Sequence, residues 1–143
     1  MSTLDRKKTI TLPQSVVEEI IAHAREGRPE EICGLLFGRD GIVTDLHRAR
    51  NVAPVSLRTV RYEVDPGSLL LQLDYEEQGK ELLAIYHSHP SSPAYPSQTD
   101  VRNAYYPDAF YIIVSLLDSE APELRAFRIV EGKIRPAELV IGN

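Results

Sequence analysis

The stretch that most constrains this chain is an apolar run, residues 82–86, that ends in His87-Ser88-His89-Pro90. Such a run reads as a buried strand. Side chains alternate between the faces of a strand, so His87 and His89 project together while Ser88 points away. Pro90 lacks a backbone donor and stops the strand. After six intervening residues, Ser97 opens a short polar segment in which Ser97 and Asp100 share one helical face. Two imidazoles and one carboxylate at this spacing can surround a single metal ion. Three protein ligands leave the fourth position of a tetrahedral zinc for water, which separates catalytic zinc sites from closed structural ones.

His-x-His-Pro and Ser-x-x-Asp, joined by an upstream glutamate, resemble the signature of the JAMM (MPN+) metalloproteases. In that family the glutamate stands just ahead of a strand, shortly after the first helix. Here Pro29-Glu30-Glu31-Ile32-Cys33-Gly34-Leu35-Leu36-Phe37-Gly38 occupies that place. Composition places Glu30 and Glu31 equally, and the resemblance selects Glu31 as the catalytic acid/base. It implies His87, His89 and Asp100 as zinc ligands, and Ser97 as the hydroxyl that steadies the tetrahedral intermediate. It implies a fold of the α/β (mixed α+β) class with the cytidine-deaminase-like layout of JAMM/MPN domains: a mixed, mostly antiparallel sheet flanked by helices. True deaminases share that layout but carry His-x-Glu with Pro-Cys-x-x-Cys, and this chain has neither. The resemblance covers most of the chain, from the helix before Glu31 to the strands after Asp100.

The implied chemistry is hydrolysis. Zinc lowers the pKa of its water from 15.7 to roughly 7. Glu31 takes the proton and hands it to the leaving nitrogen or sulfur, a contribution of about 10²- to 10⁴-fold. Ser97 and the zinc face the oxyanion, where one donor is worth about 3 to 4 kcal/mol. The segments between signature elements are short, without the insertions that eukaryotic deubiquitinating members use to grip ubiquitin. The expected substrate is a ubiquitin-like or sulfur-carrier protein, its Gly-Gly tail extended along a strand edge beside the zinc. Release of cysteine from a carrier adduct is one form of the reaction, and isopeptidase action on ubiquitin-like conjugates is the alternative. A non-catalytic MPN scaffold is a further alternative, against which the intact ligand set argues. A purely structural zinc module is disfavoured by the open coordination position and by Glu31.

Composition bounds the rest. The 143 residues, 43% hydrophobic and 26% charged, suit one globular domain spanning residues 1–143. A formal charge of −5 argues against a nucleic-acid partner. No apolar run approaches the ~20 residues that span a bilayer, and the polar opening residues lack a signal peptide's apolar region. A cytoplasmic protein without a membrane partner is expected, with a homodimer left open. Cys33, the single cysteine, excludes an internal disulfide and reads as a small buried hydrophobe.

Periodicity predicts a strand over residues 9–12, then an amphipathic helix carrying Val16, Val17, Ile20, Ile21 and Ala24 up to Gly27. A hairpin follows, residues 33–37 and 42–48 turning at Arg39-Asp40-Gly41. Residues 51–59 read as loop and 61–64 as a strand. Asp65 then caps a helix with Pro66 at its first position, whose faces carry Leu69, Leu70, Leu73 and Glu77 until Gly79. Residues 110–116 and 124–130 read as strands, and a last strand lies near residues 139–141. His23, at a helix C-terminus, and His47 are expected to be structural or exposed. Ser88 is a candidate support for the site from the strand's other face, and Tyr86, Tyr95, Tyr105 and Tyr106 flank the motif.

Overall fold

The computed structural model describes residues 8–142. Strand β1 (Thr9–Pro13) leads into helix α1 (Gln14–Gly27), followed by the hairpin of β2 (Cys33–Arg39) and β3 (Ile42–Ala49). Two short helices, α2 (Pro66–Leu69) and α3 (Leu71–Glu77), precede β4 (Glu81–His89). Helix α4 (Gln98–Arg102) and strands β5 (Phe110–Ser115), β6 (Glu123–Val130) and β7 (Lys133–Gly142) complete the order.

The sheet is mixed and mainly antiparallel, as the sequence predicts, with four antiparallel pairings against three parallel ones. It runs β1-β3-β2-β4-β5-β6-β7 and curls until its ends meet, because β1 also pairs in parallel with β7. The β1–β7 register extends from Thr9↔Glu138 to Pro13↔Gly142, whereas β1 meets β3 at the single pair Thr11↔Ile42. The β2–β3 turn is tight because Asp40 (φ 53°) and Gly41 (φ 76°) both take left-handed backbone, the arrangement that matches strand twist in two-residue hairpins.

Strands β2, β4 and β5 are apolar without alternation because both faces of the sheet are covered. Leu36, Tyr86, Ile112 and Val114 point into a core closed by Val16, Val17, Ile20 and Ala24 of α1. Leu35, Ile85 and Ile113 point the other way, into a second core edged by Leu69, Leu71 and Tyr75 and by Val101 of α4. Gly34 is required where the two layers meet, since a Cβ there would lie 2.2 Å from the Tyr86 ring.

Three local expectations change. Residues 61–64 form no strand of their own and are represented by one antiparallel bridge, Asn51↔Val64. The helix expected up to Gly79 breaks at Leu70 into α2 and α3. Leu69 and Leu71 both face the second core, and positions two apart cannot share one face of a continuous helix. Leu70 and Leu73, placed on the helix faces by periodicity, are exposed instead. The Asp65 cap is present, its carboxylate accepting from Ser68 N at 3.0 Å. The final strand is much longer than residues 139–141 because β6 and β1 pair with it on opposite sides.

Candidate metal centre

The centre forms where β4 leaves the sheet. His87 and His89 continue the row of Ile85 on the second-core face, and both imidazoles are buried, with His87 flanked by β2 and β5 and His89 by β5. Asp100 arrives from α4. Ser97 is the N-cap of that helix and lies outside it rather than on one of its faces: its Oγ accepts from Asp100 N at 3.0 Å, and its own N donates to Asp100 Oδ2 at 2.9 Å. This reciprocal capping box fixes the carboxylate.

Three atoms converge. His87 Nε2 and His89 Nε2 are 3.1 Å apart, and Asp100 Oδ2 stands 3.2 and 3.0 Å from them. His89 Nδ1 lies 2.8 Å from the Pro93 carbonyl, which can only accept, so Nδ1 carries the hydrogen and Nε2 presents its lone pair. Donor atoms about 2.0 to 2.1 Å from a tetrahedral zinc stand roughly 3.3 Å from one another, close to the spacing found here. Glu31 completes a buried group of four whose potential ligand atoms all lie within 4.8 Å of one another. Its Oε1 is buried without a hydrogen-bond partner among the described residues, as is His87 Nδ1. Two imidazoles, two carboxyls and these orphaned atoms fit a metal ion.

Charge follows burial and pairing. Burial pushes the Glu31 carboxyl up to about 8, against the pull of His89. Asp100 is held well below the usual carboxylate range, because His87 and His89 outweigh the burial that opposes its ionisation. Burial lowers His87, while for His89 the same effect is outweighed by Asp100 and the Pro93 carbonyl, and its pKa rises. A cation at the three converging atoms would favour the ionised form of every carboxyl here.

Glu31, not Glu30, joins the cluster. Its backbone N donates to the Arg58 carbonyl at 2.7 Å, and its carbonyl accepts from Asn51 Nδ2 at 2.9 Å. Ser88 ties the next residue to β4: its Oγ accepts from Ile32 N at 2.8 Å, and its N donates to the Ile32 carbonyl at 3.1 Å. Cys33 stands opposite His87 in register, and burial pushes its thiol up to about 12, so it is a poor thiolate. His23 and His47 lie elsewhere, bonded to Tyr86 Oη and Ser68 Oγ. Tyr86 belongs to the core under α1, while Tyr105 and Tyr106 line a cleft of about 360 Å³ that begins beside the centre. Tyr95 is half exposed and packs edge-on against Phe127.

Sequence reasoning missed Tyr62 and Asn51. The Tyr62 ring stacks on His87 with centroids 4.3 Å apart and planes 21° from parallel, and it also lines the cleft. Asn51 Nδ2 bridges the carbonyls of Glu31 and Arg61, while its Oδ1 accepts from the backbone of Ala53 and Glu63. A lone asparagine and a lone tyrosine carry no periodic signal. The loop prediction around residue 51 was the only hint that a polar side chain there must satisfy backbone groups.

A mixed sheet ending in a buried His-His-Asp-Glu group defines a JAB/MPN-type domain with a centre suited to a metal ion. Within that class, the chain belongs to the prokaryotic homologs of the JAB domain, a family that matches residues 13–130. It is 37% identical over 133 residues to the CysO-cysteine peptidase of Mycobacterium tuberculosis, covering 90% of each chain. It is 37% identical over 113 residues to the desampylase of Haloferax volcanii, covering 74% of this chain and 80% of that one. The solution structure of a protein from Desulfitobacterium hafniense superposes with a TM-score of 0.83 at 34% identity, over 94% of this chain and 93% of that one.

Proposed function

We propose that this chain is a zinc-dependent hydrolase that cuts at the C-terminal Gly-Gly tail of a ubiquitin-like or sulfur-carrier protein. The observation that carries the reading is the convergence of His87, His89 and Asp100 at 3.0–3.2 Å with the unpartnered Glu31 carboxyl beside them. These three residues hold the ion. When bound, it supplies Lewis acidity to the attacking water and the scissile carbonyl. Glu31 takes the water's proton and delivers it to the leaving nitrogen, a task suited to a carboxyl whose burial shifts its pKa toward neutrality. Ser97 Oγ accepts from Asp100 N and donates to nothing among the described residues, so its hydrogen is available to the developing oxyanion.

The cleft supports an extended tail. The bonds Val52 N→Glu63 O and Asp65 N→Arg50 O direct the backbone of residues 63 and 65 toward residues 50–52. By alternation, the N–H and C=O groups of Tyr62 and Val64 face the opposite edge, where they make no hydrogen bond among the described residues. Both residues line the cleft, whose floor includes Ile85 and Tyr111. A peptide added along that edge ends beside Tyr62 and hence beside His87. The names of the peptidase and desampylase relatives favour such a tail as substrate.

The test is to strip the protein of metal, restore one zinc per chain, and follow by mass a carrier bearing a C-terminal cysteine alongside an isopeptide-linked ubiquitin-like conjugate. Zinc-dependent loss of cysteine from the adduct supports the carrier form. Cleavage of the conjugate alone moves the reading to the isopeptidase form, and no cleavage of either leaves a scaffold.

A further inference from the structure

The cleft beside the centre contains a cation with no side-chain partner among the described residues. Arg61 is half-buried and lines it, its Nε is buried without a hydrogen bond, and its guanidinium makes no ion pair among the described residues. Glu63 lines the same cleft yet forms no salt bridge with it. Three other guanidinium groups near the sheet are engaged: Arg48 with Glu19 and Glu26, Arg39 with the Gly79 and Gln78 carbonyls, Arg58 with the Ala53 carbonyl. A forked donor set left open in a cleft is complementary to a planar carboxylate.

Its position favours one side of the scissile bond. Asn51 Nδ2 bonds the carbonyls of Glu31 and Arg61 together, at 2.9 and 3.0 Å, so Arg61 is clamped to the residue that protonates the leaving nitrogen. Tyr62, the next residue, stacks on His87. A group at Arg61 therefore neighbours the departing part of the substrate.

We propose that Arg61 is the receptor for a free carboxylate on the leaving group, so that the preferred substrate is a tail ending in one amino acid rather than a lysine isopeptide. This rests on the hydrolase reading above. In the reaction the C–N bond after the second glycine breaks, water gives its hydroxyl to the acyl carbon, and the nitrogen leaves with an added proton as the amine of a free amino acid. Its α-carboxylate is the group that Arg61 holds. An isopeptide-linked lysine within a protein chain presents no carboxylate at that distance from the scissile nitrogen.

The experiment uses one N-acetylated hexapeptide ending in Gly-Gly-Cys, prepared as the free acid and as the C-terminal amide. Binding to zinc-loaded Glu31→Gln protein is measured by calorimetry, and turnover by the zinc-loaded unmodified protein is followed by mass. The acid should bind about tenfold to a hundredfold more tightly than the amide, in line with a charge-assisted bidentate contact. Arg61→Gln in the same background should abolish that preference, and Arg61→Lys should keep part of it because charge survives without the fork. Equal binding of acid and amide, no binding of either at millimolar concentration, or a preference that survives Arg61→Gln overturns the assignment. A binding preference without turnover retains the carboxylate receptor and rejects the hydrolase reading instead.

Discussion

His87 has strand partners on both sides and His89 has one on the β5 side, whereas Glu31 and Tyr62 lie outside the strand ladder. Strand β4 is paired with β2 and β5 through His87, and with β5 through His89. Glu31 and its neighbour Ile32 depend on the side chains of Asn51 and Ser88 and on single backbone bonds to Arg58 and Ser88, and the Tyr62 backbone bonds to nothing among the described residues. The two histidines suited to a metal are thus built into the sheet. The half proposed to move protons and meet substrate hangs from it on a few polar clips, as expected of a region that must adapt to a ligand.

Loss of the histidines should have the most severe consequence. A His87→Ala, His89→Ala double variant should retain no zinc and no turnover, and near-stoichiometric zinc in metal analysis would refute the ligand assignment. From the other half, Glu31→Gln should keep zinc and melting temperature while turnover falls about 10²- to 10⁴-fold. Glu30→Gln should cost little, and a reversed pattern gives the acid/base role to Glu30.

Ser97→Ala tests the capping box that carries Asp100. Loss of an N-cap costs about 1 kcal/mol of stability, and loosening a ligand's support typically lowers metal affinity about tenfold to a hundredfold. Chelator competition should register that drop, and unchanged affinity would leave Asp100 fixed by other means. Asn51→Ala sharpens the contrast further, because it should lower turnover about tenfold and stability by about 2 kcal/mol while zinc affinity holds. A parallel fall in zinc affinity would show the two halves to be one unit.

The smallest effect concerns the fastening of α1 to β4. Burial first, and then Arg48, lower the pKa of His23 to about 4 as it bonds Tyr86 Oη at 2.7 Å. The unfolded chain binds this proton near 6.5 and the folded one near 4, so the contribution is complete above 6.5 and lost as pH falls toward 4. His23→Gln should flatten the dependence of melting temperature on pH in that window, modestly because the ring is only part-buried.

Motif spacing carried the metal half into the sequence. His87, His89, Asp100 and Ser97 lie within one short stretch where strand alternation and helix capping are local rules, so their convergence could be read from residue order. The apolar runs of β2, β4 and β5 and the Asp40-Gly41 turn were legible for the same reason. The choice of Glu31 over Glu30 came from resemblance alone. Residues 51–65 defeated periodicity because their order comes from Asn51 and from Asp65, whose carboxylate also accepts from Arg50 N at 2.8 Å, not from repeating backbone bonds. The closure of the sheet was hidden as well, since nothing in residues 9–12 announces a partner about 129 positions away.

That closure orders the chain's assembly. β1 is made first among the strands, yet its long partner is the last, so during synthesis it waits with an unpaired edge until residues 133–142 emerge. Non-local pairings of this kind are slow to form, because the loop between them must be closed before any contact repays it. A nascent chain halted before Lys133 would leave both β1 and β6 with open flanks that invite pairing with other chains. The final strand therefore acts as a seal, and aggregation of chains truncated ahead of it is the outcome the topology dictates.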